Sequence, residues 1–90
     1  MLTSSARIQT QNAQRLMNRL CKHWGHKFPV SLDAQQGQIE LPLGVCRLHC
    51  ADTLTVELTS DAAQMPTLQQ VVTDHLQRMA GKETLGIEWE

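Results

Sequence analysis

Aromatic residues are almost missing from this chain: Trp24, Phe28 and Trp89 are the only ones, and there is no tyrosine. That scarcity excludes folds that bind single-stranded nucleic acid by stacking bases on aromatic platforms. Long apolar runs are also lacking, as is an opening stretch of charge followed by apolar residues, so neither a membrane span nor a secretory leader is expected. The three cysteines, Cys21, Cys46 and Cys50, form no C-x-x-C pair and are odd in number. A disulfide framework is therefore not expected, and a reduced, cytoplasmic setting is the default. There is no glycine-rich phosphate loop, no nucleophile elbow and no H-E-x-x-H, which removes the commonest enzyme templates.

The most informative absence is local. Residues 1–32 contain no acid at all, yet they carry five bases: Arg7, Arg15, Arg19, Lys22 and Lys27. The remaining residues carry three bases and all nine acids, so a net charge of −1 conceals a strong asymmetry. A surface for acidic partners is one consequence; a basic helix that neutralises its own acidic remainder is the other.

Ninety residues make one domain of a size that buries only about 60% of its unfolded surface, so every apolar stripe is needed for one core. Thr3–Gln9 alternates weakly and predicts a first strand. Thr10-Gln11-Asn12 supplies a helix cap before an apolar stripe of Ala13, Leu16, Met17, Leu20 and Trp24, with Gly25 and Pro29 as stops. Four short strands follow: Phe28–Asp33, Gln38–Leu43, Val45–Ala51 and the stretch bearing Leu54, Val56 and Leu58. Pro42 and Gly44 point to a bulge or an edge. Ser60-Asp61 predicts the cap of a second helix, with Gln64 at a capping-box position; Pro66 suits a first helical turn and marks a second, later start for the main helix. Its stripe is Leu68, Val71, Val72, His75, Leu76 and Met79, and Gly81 ends it. Leu85, Ile87 and Trp89 alternate as a final strand. The order β-α-β-β-β-β-α-β predicts an α+β two-layer sandwich, a mostly antiparallel sheet with two helices on one face.

Leu20-Cys21-Lys22-His23-Trp24-Gly25-His26-Lys27 resembles a stretch of a family of small bacterial proteins known only as a domain of unknown function, number 2218. Ala6-Arg7-Ile8, Gly37-Gln38-Ile39, Leu41-Pro42-Leu43-Gly44 and His75-Leu76-Gln77-Arg78-Met79-Ala80 leading to Trp89 fit it too. The resemblance covers nearly the whole chain and implies the same single α+β domain, without a catalytic activity. It also implies a link to bacterial iron handling, through an association with siderophore-interacting proteins. Met79 and Gly81 stand where aromatics are expected in that family, which argues against an aromatic-lined pocket.

Metal chemistry has four histidines and three cysteines to draw on, but the spacing is poor. Successive helical residues turn about 100°, so Cys21 and His23 point apart, whereas His23 and His26 share a flank. Cys46 and Cys50 share a strand face about 13 Å apart, too far for one zinc, and are read as small buried hydrophobes. No metal or cofactor is expected. His75, inside an apolar stripe, is either a core-edge residue or a ligand group. Arg15, Arg19, Lys22 and His26 lie within about 60° of one another, opposite the core stripe. The expected ligand-binding set is Arg15, Arg19, Lys22, His23, His26, Lys27 and His75, taking an acidic protein or an anionic small molecule, with no nucleic acid and no membrane. The expected function is a non-enzymatic binding or accessory domain. Two alternatives remain: a small enzyme or redox protein using Cys21, His23 or His75, and a metal- or haem-responsive module using His23 and His26.

Overall fold

A computed structural model describes residues 1–90. Seven elements follow one another: β1 (Leu2–Ile8), α1 (Ala13–Gly25), β2 (Val30–Leu32), β3 (Gln36–Leu41), β4 (Gly44–Cys50), β5 (Leu54–Ser60) and α2 (Met65–Ala80). The strands form one sheet in the order β1-β5-β4-β3-β2, antiparallel at every pairing. β2 to β5 are a meander, and β1 joins beside the last of them. Both helices cover the same face.

The alternation in the strands decides which face that is. Ile8, Ile39, Cys46, Leu48, Leu54, Val56 and Leu58 point inward and are buried, as period-two strands require. α1 adds Leu16, Met17, Leu20, Cys21 and Trp24, and α2 adds Leu68, Val72 and Leu76, to one continuous core. The opposite face of the sheet carries Gln38, Arg47, Glu57 and Ser5 in one cross-strand row, and Gln36, His49, Thr55 and Arg7 in the next. It is a polar face with no helix over it.

The turns explain the short connections. Asp33 Oδ1 accepts the backbone N–H groups of Gln35 and Gln36, each at 2.8 Å, and folds the chain from β2 into β3. Pro42 and Leu43 form a two-residue turn between the paired Leu41 and Gly44, in place of the expected bulge. Gly44 is glycine because a Cβ there would collide with the carbonyl oxygen of Thr59 on the neighbouring strand. α2 begins at Met65 with Pro66 in its first turn, the later of the two expected starts; Ser60-Asp61 instead leads a preceding turn, in which Asp61 Oδ1 accepts the Gln64 N–H at 2.8 Å. Asn12 stands at the N-cap of α1, but its side chain makes no capping bond and donates to Glu83 Oε1 at 3.3 Å.

The final strand does not form. Leu85, Ile87 and Trp89 do turn inward against the core. The backbone around them, however, is held by α2 side chains: Leu85 N–H donates to Gln77 Oε1 at 3.0 Å, and Gln77 Nε2 donates to the Glu83 carbonyl at 2.7 Å. The Trp89 indole N–H donates to Thr73 Oγ1 at 2.9 Å. Only Glu90 reaches the sheet, exchanging two backbone hydrogen bonds with Ser5. Hydrogen-bonding partners on the helix replace the ladder, which needs consecutive backbone pairs. No helix is long and apolar enough to cross a membrane.

Candidate functional site

α1 is helical because its apolar residues recur every three to four positions, and burying that stripe leaves the other side in solvent. Arg15, Arg19, Lys22, His23, His26 and Lys27 are all exposed there. The acidic part of the chain does not fold over them. The molecule's one ion pair, Arg47 Nη1 to Glu57 Oε1 at 3.5 Å, lies on the far face of the sheet.

The set is not uniform. Arg19 Nη1 donates to the Met79 carbonyl at 2.9 Å, near the end of α2. Carbonyls in the last helical turn lack intrahelical donors and carry the negative end of the helix dipole, so a guanidinium is well placed there. Arg19 therefore joins the two helices, while Arg15, Lys22 and Lys27 make no side-chain hydrogen bond or ion pair. α2 closes at Gly81, whose φ of +64° stops the helix.

Where α1 meets α2, His75 packs against Trp24 and His23. Its ring lies 4.7 Å from the Trp24 ring and 5.3 Å from the His23 ring, centre to centre, and His23 and Trp24 are 6.3 Å apart. His75 is half-buried, and its Nδ1 lies 2.8 Å from the Val71 carbonyl oxygen. His26, at the C-cap of α1, stands outside this group. The histidine that His23 meets is thus His75, not the His26 expected from spacing along one helix. Histidine, cysteine, aspartate and glutamate side chains nowhere gather in threes at metal-ligand spacing.

The cysteines are the reverse of activated thiols. Cys21 faces inward, and burial, helped by nearby Cys50, pushes its pKa up to about 11. Burial likewise takes Cys46 up to about 12, with Cys21 adding to it, and raises Cys50. Lys22, next in sequence, does not offset this, because Cys21 points into the core and Lys22 into solvent. Cys50 packs its sulfur 3.5 Å from that of Met17.

Sequence reasoning missed one feature. An open cleft of about 430 Å³ lies on the polar face of the sheet, lined by Asp33, Gln36, Arg47, His49, Thr55 and Glu57 among others. Asp33 lies below the usual carboxylate range because it accepts the Gln35 and Gln36 N–H groups, with His49 contributing. The signal was present: these are the polar members of each alternating strand. What the sequence withheld was the register that sets them side by side.

A family model described as an uncharacterized protein conserved in bacteria (DUF2218) matches residues 5–90. The chain belongs to this family. It is also similar to a solved structure, described as the NMR structure of PA4090 from Pseudomonas aeruginosa. Identity is 42%, the match covers all of this chain and 96% of the other, and the TM-score is 0.82. No curated protein matches at a significant level. That solved structure shares the α+β architecture described above.

Proposed function

We propose that this domain is a non-enzymatic binding module that docks on an acidic protein surface through the basic flank of α1. The observation that supports this reading is the set of exposed cations Arg15, Lys22 and Lys27, none with an acid at ion-pair distance. Such a flank keeps its positive potential, since no internal pair cancels it. A helix surface is convex, and the clefts on the sheet face, between loops and along α2 are not lined by Arg15, Lys22 or Lys27. That shape favours a macromolecular partner over a small anion, which would need an enclosing pocket. We further propose, from the resemblance implied by the sequence alone, that the partner belongs to bacterial iron handling. An enzymatic reading has less support, because the thiols are buried with raised pKa values.

The test is affinity capture with the native chain and a variant carrying Arg15→Glu, Lys22→Glu and Lys27→Glu, at low and moderate salt. Arg19 is left in place because it holds α2. The native chain should retain an acidic partner that salt releases, and the folded variant should not. Identical captured sets for both proteins would make the flank an ordinary solvated surface.

A further inference from the structure

We propose that His23 and His75 form an exchangeable binding site for a late first-row divalent metal ion, the two imidazoles supplying protein ligands and water the rest. The proposal is independent of the docking reading.

Tautomer geometry comes first. The Val71 carbonyl can only accept, so His75 Nδ1, 2.8 Å away, carries the ring hydrogen and Nε2 keeps a free lone pair. A backbone carbonyl on one ring nitrogen is the usual way a ligating histidine is oriented for a metal on the other. The spacing fits as well. Metal–nitrogen bonds of about 2.0–2.1 Å meeting near a tetrahedral angle place two ring centres about 5 Å apart. The observed separation is 5.3 Å, with the planes inclined at 50°.

The surroundings suit a cation that is held loosely. Trp24 lies against His75 at 4.7 Å and gives the pair a rigid floor. His23 is exposed, so water can complete the coordination shell. It also sits in the last turn of α1, where the helix dipole is negative. Arg19, one turn earlier, is turned onto the Met79 carbonyl, whereas Lys22 and Lys27 stay exposed and unpaired near His23 and oppose a cation, which keeps binding weak and reversible. No third side chain joins at ligand spacing, so the ion keeps open positions rather than acting as a structural staple. Imidazole donors suit Ni(II), Cu(II) and Zn(II). Because the ligands come from α1 and α2, a bound ion would bridge the helices and stabilise their packing.

The experiment titrates tag-free protein with Ni(II) and with Zn(II), avoiding Cu(II), which free thiols reduce. Histidine ring resonances and thermal unfolding report binding. Native protein should bind one equivalent, shift the His23 and His75 rings, and melt several degrees higher in excess metal. His23→Ala, at an exposed position, should weaken binding by about tenfold or more, as loss of one of two ligands demands. His75→Phe should do the same while keeping a ring against Trp24, and His26→Ala should bind like the native protein. Native-like affinity in His23→Ala would overturn the proposal. So would an equal loss in His26→Ala, or unmoved rings and melting temperature in large metal excess.

Discussion

Gly37 lies directly beneath Cys21: a Cβ on Gly37 would come within 2.8 Å of the Cys21 sulfur and 3.5 Å of the Met17 side chain. α1 rests on β3 at this point, and the missing side chain lets the helix approach the sheet. Gly37 is a strand residue for which the null side chain is a packing requirement rather than a turn device.

Gly37→Ala should therefore destabilise the fold by about 1–3 kcal/mol, as overpacking of a close-packed interior does. Cys21→Ala removes the atom that is struck. In the double variant the Gly37→Ala cost should fall by about 0.5 kcal/mol or more, a coupling that denaturant unfolding of all four proteins would measure. Strictly additive losses would mean the helix is not seated on Gly37.

Leu20 and Leu76 are both fully buried, one from each helix, in the shared core. Truncating either to alanine should cost about 2–5 kcal/mol in urea or guanidinium unfolding. A loss below about 1 kcal/mol at both positions would be inconsistent with helix–sheet packing through these stripes.

The cysteine chemistry gives a pH dependence with a defined sign. Burial raises the Cys21 pKa to about 11 and that of Cys46 to about 12, from an ordinary value of 9.0. The unfolded chain therefore loses these protons first as pH rises. Stability linked to the two thiols is complete below pH 9.0 and is lost as pH climbs through about 11 and 12. In native protein at neutral pH, Cys21 and Cys46 should resist alkylation, and Cys50, half-buried, should react first. Mass mapping after brief alkylation checks the order, and rapid labelling of Cys21 would contradict it.

Much of the fold was legible because each element carries its own period. Leu54, Val56 and Leu58 alternate, and Leu16, Leu20 and Trp24 recur at helical spacing, so one face of each is fixed before any contact is known. The last segment was misread for a definite reason. Leu85, Ile87 and Trp89 alternate as a strand would, but alternation reports only which side faces the core. It does not say whether Gln77 and Thr73 or a neighbouring strand will meet the polar groups. The exposed basic flank followed from helix geometry in the same way. The His23–His75 contact did not, since it depends on how α1 and α2 are aligned. No period within either helix encodes that alignment. The polar cleft beside His49 was hidden likewise, because cross-strand neighbours are set by register.

The two arginines of α1 should separate structure from recognition. Arg15 and Arg19 are one turn apart on the same exposed flank, and by sequence they are interchangeable. Only Arg19 has a fixed partner, the Met79 carbonyl at 2.9 Å, which would otherwise face the end of α2 with no helical donor. Arg19→Ala should destabilise the fold by about 0.5–1.5 kcal/mol, the range of a single hydrogen bond near the surface. It should also loosen the end of α2, seen as faster amide exchange over residues 78–83. Arg15→Ala should change stability by less than about 0.5 kcal/mol, as surface substitutions without partners do. Salt should matter differently too. A bond to a carbonyl is screened less than an attraction between free charges, so moderate salt should leave the Arg19 effect in place while weakening any partner held by Arg15. Equal stability losses at the two positions would show that the flank acts as one electrostatic surface on its own fold. The docking reading would then lose the free cations on which it rests.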